Sequence, residues 1–312
     1  MPITTVPKIW MDGEFVDWSD ATVHILTPTL HYGWGVFEGI RAYTTPNGPA
    51  VFQHRAHMER LHRSAKILQM DVPYSVDELM SATRQLIRIA ELDACYIRPL
   101  VYLGYGEMGL NPLPSEVRVS IAVWPWGTYL GDEGITNGVR AKTSTWVRIG
   151  ANMIPTGTKA CGVYINSSLA KVEALQAGYD EAILLNEHGN VAEGSGENIF
   201  VVRDGTLLTP PLTAGVLRGI TRDTIVEFAA DLGIPFAESD LLRHDLYVAQ
   251  EAFYTGTAAE VVPIRSVDNR ELGPPGPITR QLQELFFAVV AGKEPRFAHM
   301  LDYVEGEDEP GR

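Results

Sequence analysis

Residues 124–134, WPWGTYLGDEG, divide the chain. The stretch is rich in glycine and aromatic rings and reads as a connection between two folded parts. Aromatic side chains are unusual in a plain spacer and suggest a loop that covers something. On either side, strand-like segments alternate with helical ones. With 312 residues the chain is long enough for two domains, each with its own core. The expected fold class is α/β (α+β mixed). A small N-terminal α/β domain would span 1–125, a connection 126–136, and a larger C-terminal domain 137–312. Clefts between such domains are common ligand sites.

In the first part, Ile9–Phe15 and Ala50–Gln53 read as strands. His54–Gln69 has helical spacing of Met58, Leu61, Ala65 and Leu68. Val76–Glu91 reads as a second helix, with Ser75 and Glu78 placed as a capping box. Ala94–Leu103 and Val117–Trp124 follow as strands. In the second part, Val139–Thr145, Glu181–Leu185, Asn198–Val202, Glu251–Thr255 and Val261–Ile264 are strand-like. Ser167–Gln176, Gly219–Leu232 and Ile278–Val290 have helical character.

Composition narrows the class of function. The chain is 45% apolar and 21% charged, with a formal net charge of −14. An acidic surface argues against nucleic acid and anionic membranes as partners. No apolar run approaches the roughly 20 residues of a membrane span, and the start lacks the apolar region of a signal peptide. A cytoplasmic protein is expected. Cys95 and Cys161 show neither zinc nor redox spacing, so no metal is expected. The acids are unevenly placed. Between Gly134 and Val172 there is no Asp or Glu, whereas Arg140, Lys142, Arg148, Lys159 and Lys171 all lie there. Two readings stand at this point, a chance spacing or a locally positive region suited to an anion.

Several motifs fall away on inspection. Gly104–Gly109 spells G-x-G-x-x-G after a strand, but Pro112 and Pro114 follow, so no helix starts where a dinucleotide would need one. The histidines lack H-E-x-x-H spacing and read as packing or surface groups. No G-x-S-x-G elbow is present.

The lysines are more informative. There are six, and Lys171 reads as one that solvates a helix face. Lys159 sits among small residues in IPTGTKACGVY. A lysine of ordinary pKa, about 10.4, is unprotonated in only roughly one molecule in 2,500 at pH 7. Burial and neighbouring positive charge favour the neutral amine, which is a nucleophile able to form a Schiff base. A loop lysine facing water is the other reading, and local context leaves both open. Glu193 precedes Gly194-Ser195-Gly196, where a backbone can pass close to a flat group. By itself it reads as a turn acid. Gly219-Ile220-Thr221 opens a helix and suits a phosphate. TGTAAE (255–260) ends a strand with small residues and hydroxyls. A lysine, an acid for a ring nitrogen and a helix end for a phosphate together describe a pyridoxal 5′-phosphate site.

In this order the pieces resemble the branched-chain amino acid aminotransferase family, within fold-type IV pyridoxal phosphate enzymes. The likeness runs through LHYGWGVFEGIRAY (30–43), HMERLHRSAKIL (57–68), YIRPLVYLG (96–104) and GTAAEVVPIRSVD (256–268). It implies two domains, the larger with a mixed, barrel-like sheet. It also implies transfer of the amino group between leucine, isoleucine or valine and 2-oxoglutarate by a ping-pong mechanism. Lys159 would carry the cofactor as a Schiff base and move the proton between Cα and C4′. Glu193 would pair with the ring nitrogen, Tyr164 with O3′, and Leu217 would pack on the ring. Arg60, the Ile220 and Thr221 amides and Thr257 would bind the phosphate. The residues alone leave Arg55, Arg60 and Arg63 open, and the HM-x-R-L match selects Arg60. Tyr32, Phe37, Trp126, Tyr129 and Tyr164 would line the substrate pocket. Arg98 with Tyr32 would meet a distal carboxylate. Thr257 and Ala258, with Tyr96, would hold the α-carboxylate. Met108-Gly109-Leu110 resembles a loop that reaches a neighbouring subunit, implying at least a homodimer. Trp34 departs from the family pattern and bears on substrate range. The alternatives on the same fold are a D-amino acid or (R)-amine transaminase and aminodeoxychorismate lyase. Outside it stand a cofactor-independent Schiff-base aldolase and a binding protein.

Overall fold

A computed structural model describes residues 3–127 and 130–305. It separates into two compact units. The first takes the described residues up to Trp126, together with Thr158–Gly162 and those from Ala288 onward. The second takes the described residues of Gly127–Gly157 and Val163–Phe287.

In the first unit the elements are β1 (Lys8–Met11), β2 (Glu14–Asp17), α1 (Pro28–Tyr32), β3 (Gly35–Phe37), β4 (Ile40–Thr45) and β5 (Gly48–Phe52). They are followed by α2 (His54–Ile67), α3 (Val76–Ala90), β6 (Cys95–Leu103) and β7 (Val117–Trp124). The single strand expected over Ile9–Phe15 is a hairpin instead. Asp12 and Gly13 both have positive φ, 48° and 97°, and this turn matches the twist of two antiparallel strands. All strands pair antiparallel, in the order Leu301–Tyr303, β5, β4, β6, β7, β1, β2. β3 and β4 pair with successive parts of β6, the first at Leu100–Tyr102 and the second at Cys95–Ile97. Glu38 and Gly39 lie in the gap between these pairings, where Glu38 N–H donates to Pro99 O at 2.9 Å.

The two long helices lie against this sheet, α2 on β3 and β6 and α3 on β1 and β7. Leu61, Leu79, Leu86, Ile97, Val101, Val119, Ile121 and Val123 are buried there. Removing each such side chain from water stabilises the fold by about 1.5–3 kcal/mol before its entropy is counted. The expected capping box starts α3. Glu78 N–H donates to Ser75 Oγ at 3.2 Å, and Ser75 N–H donates to Glu78 Oε2 at 2.7 Å. Residues 104–116 form a loop after β6, so the G-x-G-x-x-G string opens no helix.

The second unit begins with α4 (Gly131–Asn137), so a helix starts inside the stretch read as a connection. β8 (Val139–Val147), α5 (Tyr164–Gln176) and β9 (Glu181–Leu185) form a parallel strand–helix–strand unit, with α5 packed on both strands. Then come β10 (Val191–Gly194), β11 (Asn198–Arg203), β12 (Thr206–Thr209), α6 (Ile220–Asp231), β13 (Phe236–Glu238), α7 (Arg243–Tyr247), β14 (Glu251–Gly256), β15 (Glu260–Val267), β16 (Arg270–Glu271) and α8 (Pro277–Val290). The strand order is β10, β9, β8, β15, β14, β11, β12, β13, with β16 beside β15. β8 runs parallel to both neighbours and β12 parallel to β13, while the other pairs are antiparallel. Among the described residues no helix is long and apolar enough to cross a membrane.

Glu173 clamps α5 to β8. Its carboxylate accepts from Lys142 Nζ at 2.6 Å, Ser144 Oγ at 2.5 Å and Thr145 N–H at 2.9 Å. Burial pushes this carboxyl up, but these donors outweigh it and hold the group at about 2 rather than its ordinary 4.5. A depressed acid stabilises the fold above its unfolded pKa and loses that contribution as pH falls. Stability is therefore expected to drop between pH 4.5 and about 2, and Glu173→Gln should flatten that limb in urea unfolding across this range. An unchanged limb in the variant would contradict the clamp.

Candidate active site

Lys159 belongs to the short segment that the first unit takes from the middle of the chain. Its backbone is held on both sides. Lys159 N–H donates to Ser64 Oγ on α2 at 3.2 Å, and Phe37 N–H at the end of β3 donates to Lys159 O at 3.1 Å. The next residue, Ala160, bridges antiparallel to Val36. Glycines allow this close passage. Gly33 has φ +67°, and a Cβ there would lie 3.0 Å from Gly162 Cα. A Cβ on Gly35 would meet Val101 O at 3.2 Å and Cys161 Sγ at 3.3 Å. The loop lysine facing water is thus replaced by a half-buried one, with Nζ 5.2 Å from the centroid of the Phe37 ring.

Phe37 also meets Arg98, whose guanidinium carbon lies 4.6 Å from the ring centroid. Arg98 Nη2 donates to Tyr96 Oη at 3.3 Å. The Tyr96 ring packs on Trp126 at 4.1 Å and on Trp124 at 5.2 Å. A cation surrounded by rings is attracted by their faces and is partly shielded from water. Four residues that the sequence singled out for substrate, Phe37, Tyr96, Arg98 and Trp126, are therefore one cluster, and Trp124 joins them. Gly39 makes room, because a Cβ there would run into Tyr96 Oη. Trp34 turns elsewhere: its indole N–H donates to Leu68 O, at the end of α2, at 3.0 Å.

Arg60 lies on the face of α2 that also carries His57 and Ser64, at helical spacings of three and four. Its Nε donates to Glu38 Oε1 at 2.6 Å and its Nη2 to Glu38 Oε2 at 2.8 Å. His57 Nδ1 donates to the same Oε2 at 2.7 Å. Burial pushes the Glu38 carboxyl up, but Arg60 and His57 outweigh it and hold the group well below the usual carboxylate range. Burial depresses His57, Glu38 opposes this, and Arg60 and Lys159 add to the depression. Its ring is therefore neutral at pH 7, with Nδ1 protonated toward Glu38.

In the second unit Glu193 is buried on β10, within a strand rather than a turn. Arg148 Nη2 donates to its Oε1 at 2.8 Å, and Leu217 N–H donates to its Oε2 at 3.0 Å. Asn198 Nδ2 reaches the same oxygen at 3.3 Å and also donates to Leu217 O at 2.9 Å. Asn198 thus ties the acid to the segment that leads into α6. That helix starts at Ile220, and its N-cap Gly219 contributes no capping side chain. A Cβ on Gly219 would run into Asn198 Oδ1, so glycine is required there. Thr221 is buried, whereas Ile220, Leu217, Thr257 and Ala258 are half-buried. Thr257 and Ala258 follow β14 in the turn before Glu260, which takes φ +62°. Tyr164 opens α5.

The acid-free window does not stay unpaired. Arg140 meets Asp180, Lys142 meets Glu173 and Arg148 meets Glu193. Lys171, read as a solvated helix lysine, instead donates to the buried Glu181 at 2.6 Å and to Asp180 O at 2.7 Å. Other expected site residues are exposed or outside the described residues. Tyr32 is exposed at the end of α1, with its ring beside His31. Met108 and Leu110 are exposed in the loop after β6, and Gly106 and Gly109 beside them have positive φ. Tyr129 lies outside the described residues. Glu38, His57, Ser64, Trp124 and Asn198 were not singled out, and Arg148 only as one of the bases in the acid-free window. Glu38, His57 and Ser64 stand inside motifs already quoted, and Asn198 opens a strand-like segment, but their sequence carries no sign of the partner each one meets.

Residues 35–267 match the model of a family described as amino-transferase class IV. A branched-chain-amino-acid aminotransferase of Pseudomonas aeruginosa is 51% identical over 287 residues, spanning 91% of this chain and 93% of that protein. The crystal structure of the Escherichia coli branched-chain amino acid aminotransferase has a TM-score of 0.95 at 47% identity, covering 96% of this chain and 100% of that one. The T.th. branched-chain amino acid aminotransferase complexed with N-(5′-phosphopyridoxyl)-L-glutamate has a TM-score of 0.92 at 44% identity, covering 96% and 99%. The mixed α/β, fold-type IV architecture expected from the sequence is the one found.

Near Glu193 a further acid behaves differently. Glu197 is buried and accepts from Gly196 N–H at 3.0 Å. Burial, and then the nearby charge of Glu181, push its carboxyl up to about 8 from an ordinary 4.5. The folded state therefore binds an extra proton between those values, and stability falls as pH rises through that window. Glu197→Gln should abolish the fall, giving equal urea midpoints at about pH 5 and pH 8 where wild type declines. A wild-type midpoint that holds or rises over this range would contradict the assignment.

Proposed function

Because this chain belongs to the amino-transferase class IV family, we propose that it is a pyridoxal 5′-phosphate-dependent transaminase of branched-chain L-amino acids. It exchanges the amino group between leucine, isoleucine or valine and glutamate in two successive half-reactions. The observation that carries the proposal is Lys159, a half-buried amine whose backbone is pinned to β3 and α2.

The donor set suits the cofactor. Arg60 and the uncapped start of α6, with Thr221 and Thr257, offer charge and N–H or O–H donors of the kind a phosphate takes. Glu193 accepts from Arg148, Leu217 and Asn198, so it remains an acceptor suited to a protonated ring nitrogen. Tyr164 supplies a hydroxyl for the ring oxygen and Leu217 an apolar surface for the ring. When bound, pyridoxal 5′-phosphate supplies an aldehyde carbon for the amine and a ring that takes up electron density from the substrate Cα. Lys159 provides the amine that holds it covalently, and the same Nζ moves the proton to and from the substrate Cα.

Arg98 accounts for the dual specificity. Its charge answers the distal carboxylate of glutamate, and Phe37, Tyr96 and Trp126 around it accept an aliphatic side chain. Tyr32 and Tyr129 are assigned to the same pocket. The Thr257 and Ala258 amides, with Tyr96, are assigned to the α-carboxylate. The exposed Met108–Leu110 loop is assigned to a neighbouring copy in at least a homodimer.

Half-reaction spectra test the reading. L-leucine and L-glutamate should each convert the cofactor's absorbance rapidly, while D-alanine and (R)-1-phenylethylamine should be slow. Lys159→Ala should remain folded and lose more than about a thousandfold in rate. Rapid turnover of D-alanine or the amine without L-leucine would refute the substrate assignment. A protein that gains no cofactor absorbance with added pyridoxal 5′-phosphate would refute the transaminase assignment.

A further inference from the structure

We propose that Glu38, steadied by His57, is a positioning residue that orients Arg60 toward the phosphate of the cofactor. The inference rests on the phosphate role given to Arg60 above.

Glu38 is fully buried, and both of its oxygens are engaged. One edge of the Arg60 guanidinium, its Nε and Nη2, forks onto Oε1 and Oε2 at 2.6 and 2.8 Å. An arginine held by one planar edge cannot rotate, so the direction of its Nη1 edge is set as well. His57 holds Glu38 in turn. Its Nδ1–H occupies Oε2 at 2.7 Å, and burial together with Arg60 and Lys159 keeps the ring neutral. The trio then carries one positive and one negative charge, and His57 adds orientation without adding charge.

The surroundings make this arrangement specific. Glu38 sits where the pairing of β6 passes from β4 to β3, and its own N–H is spent on Pro99 O. Phe37, one residue earlier, donates its N–H to Lys159 O. Ser64, one turn beyond Arg60 on α2, accepts from Lys159 N–H. The strand and helix that place the lysine are therefore the ones that place the arginine, and Glu38 joins them through side chains. A buried ion pair is a poor source of net stability, because desolvation offsets most of the attraction. Its best-attested use is to fix a geometry, which is what a phosphate-binding guanidinium requires.

The test compares pyridoxal 5′-phosphate with pyridoxal, which lacks the phosphate, by absorbance titration of the apoprotein. Glu38→Gln keeps the shape of the side chain and removes its charge. It should weaken pyridoxal 5′-phosphate by about tenfold to a hundredfold, the range typical when an orienting partner is lost. Pyridoxal affinity should change less than about twofold. In an Arg60→Met background Glu38→Gln should add nothing further, since both changes remove one interaction. If Glu38→Gln fails to fold, His57→Gln should give a smaller loss with the same selectivity for the phosphate form. Equal weakening of both compounds, or weakening of neither, would overturn the proposal. If Arg60→Met leaves the preference for the phosphate form intact, the role of Arg60 itself fails, and the inference falls with it.

Discussion

Lys159 is attached to the first unit through its backbone, by its N–H on Ser64 Oγ and its carbonyl on Phe37 N–H. These two hydrogen bonds join residues far apart in the chain, and they fix the backbone that carries the amine. The holding falls to the main chain and to the glycines that let it pass. Gly33 and Gly35 permit the segment to lie against β3, and Phe37 at the end of that strand sets the ring on which the ammonium rests. Once the segment is placed, the cluster of Phe37, Arg98, Tyr96 and Trp126 follows from the pairing of β3 and β4 with β6 and of β6 with β7.

Buried charge is handled in two ways. Arg60 with Glu38, Arg148 with Glu193 and Lys171 with Glu181 are matched pairs, each within one unit. In each the geometry also satisfies other donors or acceptors, as a buried pair requires. Glu197 takes the other course and stays protonated, because burial and Glu181 disfavour its charge. Two acids four residues apart thus differ in charge. Glu193 faces a guanidinium, and Glu197 does not appear among the ion pairs of the described residues.

The order of the elements was legible because periodicity and local chemistry carry it. The spacing of Met58, Leu61 and Ala65 shows α2, Ser75 and Glu78 show the start of α3, and Gly219 shows the start of α6. The hairpin at Asp12-Gly13 was missed because alternation continues across a turn of two residues. Local chemistry left Lys159 open between a nucleophile and a loop lysine and read Glu193 as a turn acid, and family resemblance joined them with the α6 start. What stayed hidden were partners. Glu38 meets Arg60, and Arg148 meets Glu193, across 22 and 45 positions of chain. Nothing in the neighbours of either residue announces such a match. Lys171 was misread for the same reason: its helix looked solvated, but the acid it meets stands on the following strand.

The central claim is that Lys159 is the amine that takes the cofactor. Borohydride reduction of the protein loaded with pyridoxal 5′-phosphate, followed by peptide mass spectrometry, addresses it directly. The phosphopyridoxyl group should be recovered on the peptide containing Lys159 and on no other lysine. Recovery on Lys142 or Lys171, or no covalent label at all, would contradict it.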